Sequence, residues 1–392
     1  MPKDILLSVT PIDGRYESQT KSLENYFSEF ALIRTRVEVE ILWLLLISKS
    51  KTLKFIPEIS ENQQKKIKNI FNEFSIQDAK QIKRIEKKTN HDVKAVELFI
   101  VEKLKKLKLD KLCEFVHFCC TSEDINNLSY SLMLQRFLSI EFLPEVNSFQ
   151  KNLNSMARKY SKIPMLAFTH GQPASPTTLG KEFSNFSYRI KFHFDLIKSI
   201  KQKGKFNGAS GNYNAHVIAE SKVNWEGLSK KFVNSLGLEF STHSTQIELK
   251  DALATQLANI HNLNNVLIDF AQDIWLLISK SYLKQNLKAG EVGSSTMPHK
   301  VNPIDFENAE GNLSIANGLL IALKNKVQIS RLQRDLSDST VLRNIGSVFA
   351  HFNISLNSLK KGIAKIEPDK EIIFKDLNNS WEILTEAIQT LL

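Results

Sequence analysis

The segment Gly290-Glu291-Val292-Gly293-Ser294-Ser295-Thr296-Met297-Pro298-His299-Lys300-Val301-Asn302-Pro303 is the most informative stretch of the chain. Its glycines and small hydroxyl side chains predict a mobile loop with many open N–H donors, and Lys300 and Asn302 set a cation and an amide beside it. That combination suits anionic ligands. Other stretches place titratable groups near breakers or cap formers: His170 within Thr169–Thr177, His91 and Asp92 within Thr89–Glu97, and Cys120–Asp124. Each has an ordinary structural explanation when taken alone. Thr121 with Asp124, and Thr89 before Asp92, have helix N-cap spacing. A single histidine commonly sits hydrogen-bonded in a core, and Asp335 and Asp338 near Arg334 and Arg343 fit a solvated salt-bridge face. Their co-occurrence with the 290–303 loop favours function.

Rigid elements must hold these groups. No glycine occurs between Gly14 and Gly171, and no proline between Pro57 and Pro144. Strands need turn residues every 8–12 positions, so this region reads as a succession of helices. Phe30, Ile33, Val37, Ile41 and Leu44 recur at steps of three and four and predict one apolar stripe. After Asp251 the next breaker is Gly290, and Leu253, Leu257, Ile260, Leu263, Leu267, Phe270, Ile274 and Leu277 keep helical spacing. A helix of up to about 58 Å is expected there. Such a length points to a helical bundle at the centre of an oligomer.

The 392 residues lead us to expect two or three domains, and 42% hydrophobic with 24% charged residues is an ordinary globular composition. Ile41–Ile47, the most apolar run, is far short of the roughly 20 residues needed to span a bilayer. The amino-terminal Met1-Pro2-Lys3-Asp4 does not open a secretory signal, so a cytoplasmic location is expected. Three clustered cysteines, Cys113, Cys119 and Cys120, argue against a disulfide framework and lack zinc-site spacing; buried structural thiols and no metal are expected. The net charge of +10 comes from lysines spread along the chain with no nucleic-acid motif, so no nucleic-acid partner and no membrane association are expected.

The loop matches, at eight fixed positions, the Gly-Ser-Ser-x-Met-Pro-x-Lys-x-Asn-Pro signature of the fumarase/aspartase superfamily. Thr169-His170-Gly171-Gln172-Pro173-Ala174-Ser175-Pro176-Thr177 and Thr89-Asn90-His91-Asp92 resemble the branch that acts on succinylated purine nucleotides. So do Pro11–Tyr16, His117–Asn127, Gly208–His216 and Arg334–Arg343. The resemblance covers nearly the whole chain. It implies an all-α, fumarase/aspartase-like homotetramer that releases fumarate without a cofactor, each active site being shared between subunits. Implied units are an N-terminal helical domain over 1–111, a long-helix bundle over 112–365, and the start of a C-terminal helical domain over 366–392 that continues further in relatives.

Elimination needs a base to take a proton beside a carboxylate, an acid for the departing nitrogen, and positive groups to meet the carbanion's charge. By resemblance Ser294 is the base and His170 the acid, while Lys300 and Asn302 hold the succinyl carboxylates. Arg15, Arg334 and Arg343, with Ser339, suit the phosphate. Tyr16, Asn90, His91, Asp92, Thr121, Ser122, Gln246, Ser295, Asn308 and Thr340 complete the implied substrate contacts. Two departures stand out: Gln246-Ile247-Glu248-Leu249-Lys250-Asp251 replaces the usual Gln-Ile-Glu-Pro-His-Asp, and Ala387 replaces a usual proline. A sister fumarate-releasing lyase, or an inactive protein retaining the fold, are the other readings.

Overall fold

Side-chain caps fix where the long helices begin. Ser28 accepts a hydrogen bond from the Ala31 N–H at 3.1 Å and starts α1 (Glu29–Ile47). The computed structural model, which describes residues 4–286, 293, 296, 297 and 299–392, continues through α2 (Glu61–Asn72), α3 (Ile76–Thr89), α4 (Asp92–Lys106) and α5 (Ser122–Phe137). A π-helical turn, Leu138–Phe142, joins α5 to α6 (Leu143–Lys159), whose Pro144 occupies the first turn, where a missing N–H costs least. Then come α7 (Leu179–Ser199), α8 (Asp251–Ser279), α9 (Ile304–Val327), α10 (Ser337–Leu342), α11 (Ile345–Ile363) and α12 (Lys370–Asn379). The expected all-α architecture is what the chain adopts.

Strand is confined to three small pairs. Between α6 and α7, β1 (Pro164–Thr169) and β2 (Gln172–Thr178) form an antiparallel hairpin with an irregularity between Leu166 and Ala167. Parallel β3 (Lys203–Gly204) and β4 (Glu239–Phe240) make one short pair, and antiparallel β5 (Leu283–Gln285) and β6 (Ile366–Pro368) the other. Gly180 is fixed by close approach, since a Cβ there would lie 2.4 Å from the Ala157 carbonyl oxygen.

Two large apolar clusters hold the molecule together. One is the bundle of α6, α7, α8, α9 and α11, extended by an aromatic group in which Phe137 and Phe349 lie 4.6 Å apart, and Phe142 and Phe352 lie 4.7 Å apart. Each such pair adds about 0.5–1.5 kcal/mol beyond area burial. The other joins α1, α4 and α5 to the 206–240 segment, where Trp43 lies among Phe206 and Phe232 and donates to the Phe118 carbonyl at 3.0 Å. No helix among the described residues is long and apolar enough to cross a membrane.

Three local expectations change. Helix α1 has no single stripe: Thr35, Arg36 and Glu40 are buried along with its apolar residues, because α3, α4, α5 and α2 pack around it. Helix α8 ends at Ser279, about 42 Å from its start by helical rise. Ser281 turns left-handed at φ 60°, and Tyr282 is buried where β5 pairs with β6, so tertiary packing stops the helix without a breaker. Thr89 is not an N-cap but the last residue of α3. Asn90, at φ 52°, reverses the chain, and the His91 ring accepts from the Lys94 N–H to cap α4.

Candidate active site

Ten of the expected contact residues gather where α4, α5 and α8 begin and α9 ends. The N-terminus of α5 carries Thr121 and Ser122. The Asp124 carboxylate reaches back to the Thr121 N–H at 2.8 Å and also accepts from the Asn207 N–H at 3.0 Å and the Gly208 N–H at 3.1 Å. The Lys205 ammonium, with no exposed side-chain surface, sits 2.7 Å from the same carboxylate. One acidic group therefore locks the helix start to the glycine-bearing 204–211 turn.

Across from it, Arg334 donates to the Gln246 side-chain oxygen at 3.1 Å, and Gln246 donates to the Ala209 carbonyl at 2.7 Å. A second guanidinium nitrogen of Arg334 lies 3.8 Å from Glu123. Burial pushes the Glu123 carboxyl up, with Lys250 and Arg334 pulling the other way. Ser339 and Thr340 follow on α10, where the Ser339 N–H donates to Asp338 at 2.7 Å. The Arg343 guanidinium is half-exposed, donates to Glu29 at 2.9 Å and lies 3.7 Å from Asp92. Burial would raise the Asp92 carboxyl, but the Arg36 guanidinium 2.8 Å away, the Val93 N–H and Arg343 hold it below the usual carboxylate range. Asn90 and His91 precede it at the turn into α4.

The remaining expected residues lie elsewhere in the chain. Tyr16 donates to Asn308 at 3.1 Å on the first turns of α9, and Arg15 lies 5.9 Å from the Tyr16 ring. Asn308 in turn donates to Ser358 at 2.8 Å. Helical rise separates Asn308 from the C-terminus of α9 by roughly 28 Å. Just before α9, the Asn302 N–H donates to the Gly293 carbonyl at 3.1 Å, and Lys300 is exposed. Ser294 and Ser295 lie outside the described residues.

His170 occupies the exposed tip of the β1–β2 hairpin at φ 53°, followed by Gly171 at φ 74°. The hairpin packs on α12, Ser175 donates to Glu386, and Lys280 stands 3.9 Å over the Phe168 ring. This is the C-terminal end of α8, opposite the Gln246–Arg334 cluster. One chain thus holds a cationic cluster suited to a phosphate and a separate end bearing an imidazole, an ammonium and an amide. Sequence reasoning did not find the carboxylates and ammonium behind that cluster: Glu29, Glu123 and Lys205. Lys250 was visible only as a departure from the usual histidine.

This arrangement has relatives. A lyase family model matches residues 14–318, and an adenylosuccinate lyase C-terminal model matches residues 330–392. The fold is similar to that of a fumarate lyase from a Mesorhizobium species, with TM-score 0.77 and 16% identity over 95% of this chain and 81% of that one. It is also similar to a β-carboxy-cis,cis-muconate cycloisomerase from Acinetobacter calcoaceticus, with TM-score 0.73 and 16% identity over 96% and 84%. The lyase family model, matching most of the chain, defines the class as a lyase of the fumarate lyase superfamily. The adenylosuccinate lyase of Legionella pneumophila strain Corby is 46% identical over 99% of this chain and 85% of its own length. That of Buchnera aphidicola from Schizaphis graminum is 47% identical over 100% and 86%, and that of Escherichia coli K12 is 44% identical over 99% and 85%. Within the superfamily, the chain belongs to the adenylosuccinate lyase family.

Proposed function

We propose that this protein cleaves adenylosuccinate to AMP and fumarate, and SAICAR, the corresponding succinylated carboxamide ribotide, to AICAR and fumarate, in cytoplasmic purine nucleotide biosynthesis. His170 protonates the departing nitrogen. Ser294 removes the proton beside the carboxylate, a role that requires cationic and N–H surroundings to activate a hydroxyl. Lys300 and Asn302 hold the succinyl carboxylates, and Lys300 steadies the carbanion's charge. Arg334, Arg343 and Arg15, with Ser339, bind the phosphate by charge-assisted hydrogen bonds. Tyr16, Asn90, His91, Asp92, Thr121, Ser122, Gln246, Ser295, Asn308 and Thr340 line the nucleotide. No metal or organic cofactor takes part.

The observation that carries this reading is the separation itself. The phosphate-suited cluster and the His170 hairpin stand at opposite ends of α8, about 42 Å apart along its axis, so no single copy presents both to one nucleotide. A homotetramer with shared sites brings them together. Exposed apolar side chains on the three central helices, Tyr188 and Phe192, Trp275 and Leu276, Ile315 and Ile321, supply surface for such an assembly. The test offers adenylosuccinate and argininosuccinate separately to the purified protein while fumarate is followed. Release from adenylosuccinate is expected, and release from argininosuccinate alone overturns the assignment.

A further inference from the structure

Lys250 is, with Lys205, one of two buried lysines among the described residues. Its backbone is left-handed at φ 59°, held by an N–H bond to Glu248 at 2.8 Å, immediately before α8. The ammonium lies 2.6 Å from Asp338 and 3.6 Å from Glu123. All three side chains are almost wholly removed from water, at 6%, 3% and 4% exposure. Arg334 shares Glu123 from the other side at 3.8 Å, whereas the neighbouring Lys205 is committed to Asp124.

Two buried carboxylates therefore face two cations, and only one of those cations, Arg334, also belongs to the phosphate cluster. Buried charges demand partners. Were the Lys250 ammonium absent, Glu123 and Asp338 would repel, and Arg334 would be drawn toward Glu123 to compensate. It would then be lost to an incoming phosphate. With Lys250 present, both carboxylates keep a counter-ion when Arg334 moves.

We propose that Lys250 is a positioning residue which balances Glu123 and Asp338 and so leaves Arg334 free to bind the nucleotide's phosphate. The proposal rests on the nucleotide-binding reading given above. It makes Glu123 a competitor of the phosphate, restrained by Lys250, and ties α10 with Ser339 to the start of α5.

The test measures AMP binding by calorimetry, which needs no turnover, in the full-length protein and in Lys250→Met, Glu123→Gln and the double variant. Lys250→Met weakens AMP about tenfold, the worth of one charged hydrogen bond, and raises KM for adenylosuccinate by a similar factor while kcat changes less than about threefold. Adding Glu123→Gln to Lys250→Met releases Arg334 and restores AMP affinity to within about threefold of wild type. A merely structural lysine would not be rescued by removing a second partner. Wild-type affinity in Lys250→Met, or a double variant binding no better than the single one, overturns the proposal. If Lys250→Met does not fold, Glu123→Gln alone decides: it tightens AMP binding if Glu123 competes, and unchanged or weaker binding overturns the idea. A wild-type protein that binds AMP yet releases no fumarate defeats the lyase reading while leaving Lys250 to be judged on binding; failure to bind AMP at all defeats the Lys250 proposal.

Discussion

His170→Ala lowers fumarate release by about a hundredfold or more while the helical content and the mass in solution stay at wild-type values. A positioned general acid is worth roughly 10²–10⁴ in rate. The histidine lies exposed at the hairpin tip, so its removal takes little packing with it, and exposed substitutions usually move stability by no more than about 0.5 kcal/mol. Steady-state fumarate release beside circular dichroism and sedimentation separates the two effects. Near-normal turnover would remove the imidazole from the chemistry. Ser294→Ala is expected to act with similar size through loss of the base.

Asp124→Ala produces the largest fall in stability, about 3–5 kcal/mol, the usual consequence of stripping one partner from a buried ion pair. Its carboxylate serves three backbone N–H groups and the Lys205 ammonium, and neither charged side chain touches water. After the change the Lys205 ammonium keeps, among the described residues, its bond to the Gly208 carbonyl at 3.1 Å, which does not neutralise a buried cation. Chemical denaturation gives the measurement, and a midpoint equal to wild type would show that the pair contributes nothing. Because Asp124 fixes the helix start that carries Thr121 and Ser122, weaker nucleotide binding accompanies the loss.

The helical character was legible in the long gaps between glycines and prolines, and the signature loop and His170 segment pointed to the family. What the sequence concealed depends on contacts between distant residues. Helix α8 stops at Ser279 because Tyr282 buries itself and β5 pairs with β6, whose residues lie some 80 positions away, and no breaker marks the place. The apolar stripe of α1 gave no sign that Arg36 and Glu40 on its other faces would be buried as well, Arg36 against Asp92 and Asn126, and Glu40 against His117. Thr89 carries capping chemistry, yet the left-handed Asn90 hands that role to His91. Lys250 and Asp338 stand 88 positions apart, and only the packed bundle makes them partners.

The proposal that one site takes His170 and Arg334 from different copies is tested most directly by mixing. His170→Ala and Arg334→Ala proteins, each nearly inactive at low substrate, are dissociated together and allowed to reassemble at equal amounts. If a site takes these residues from different copies, about a quarter of the sites in random mixed oligomers carry both, and fumarate release recovers toward that fraction of wild type. Mixed oligomers that form and remain as inactive as their parents would show that His170 and Arg334 serve the same site from one chain, contradicting the account.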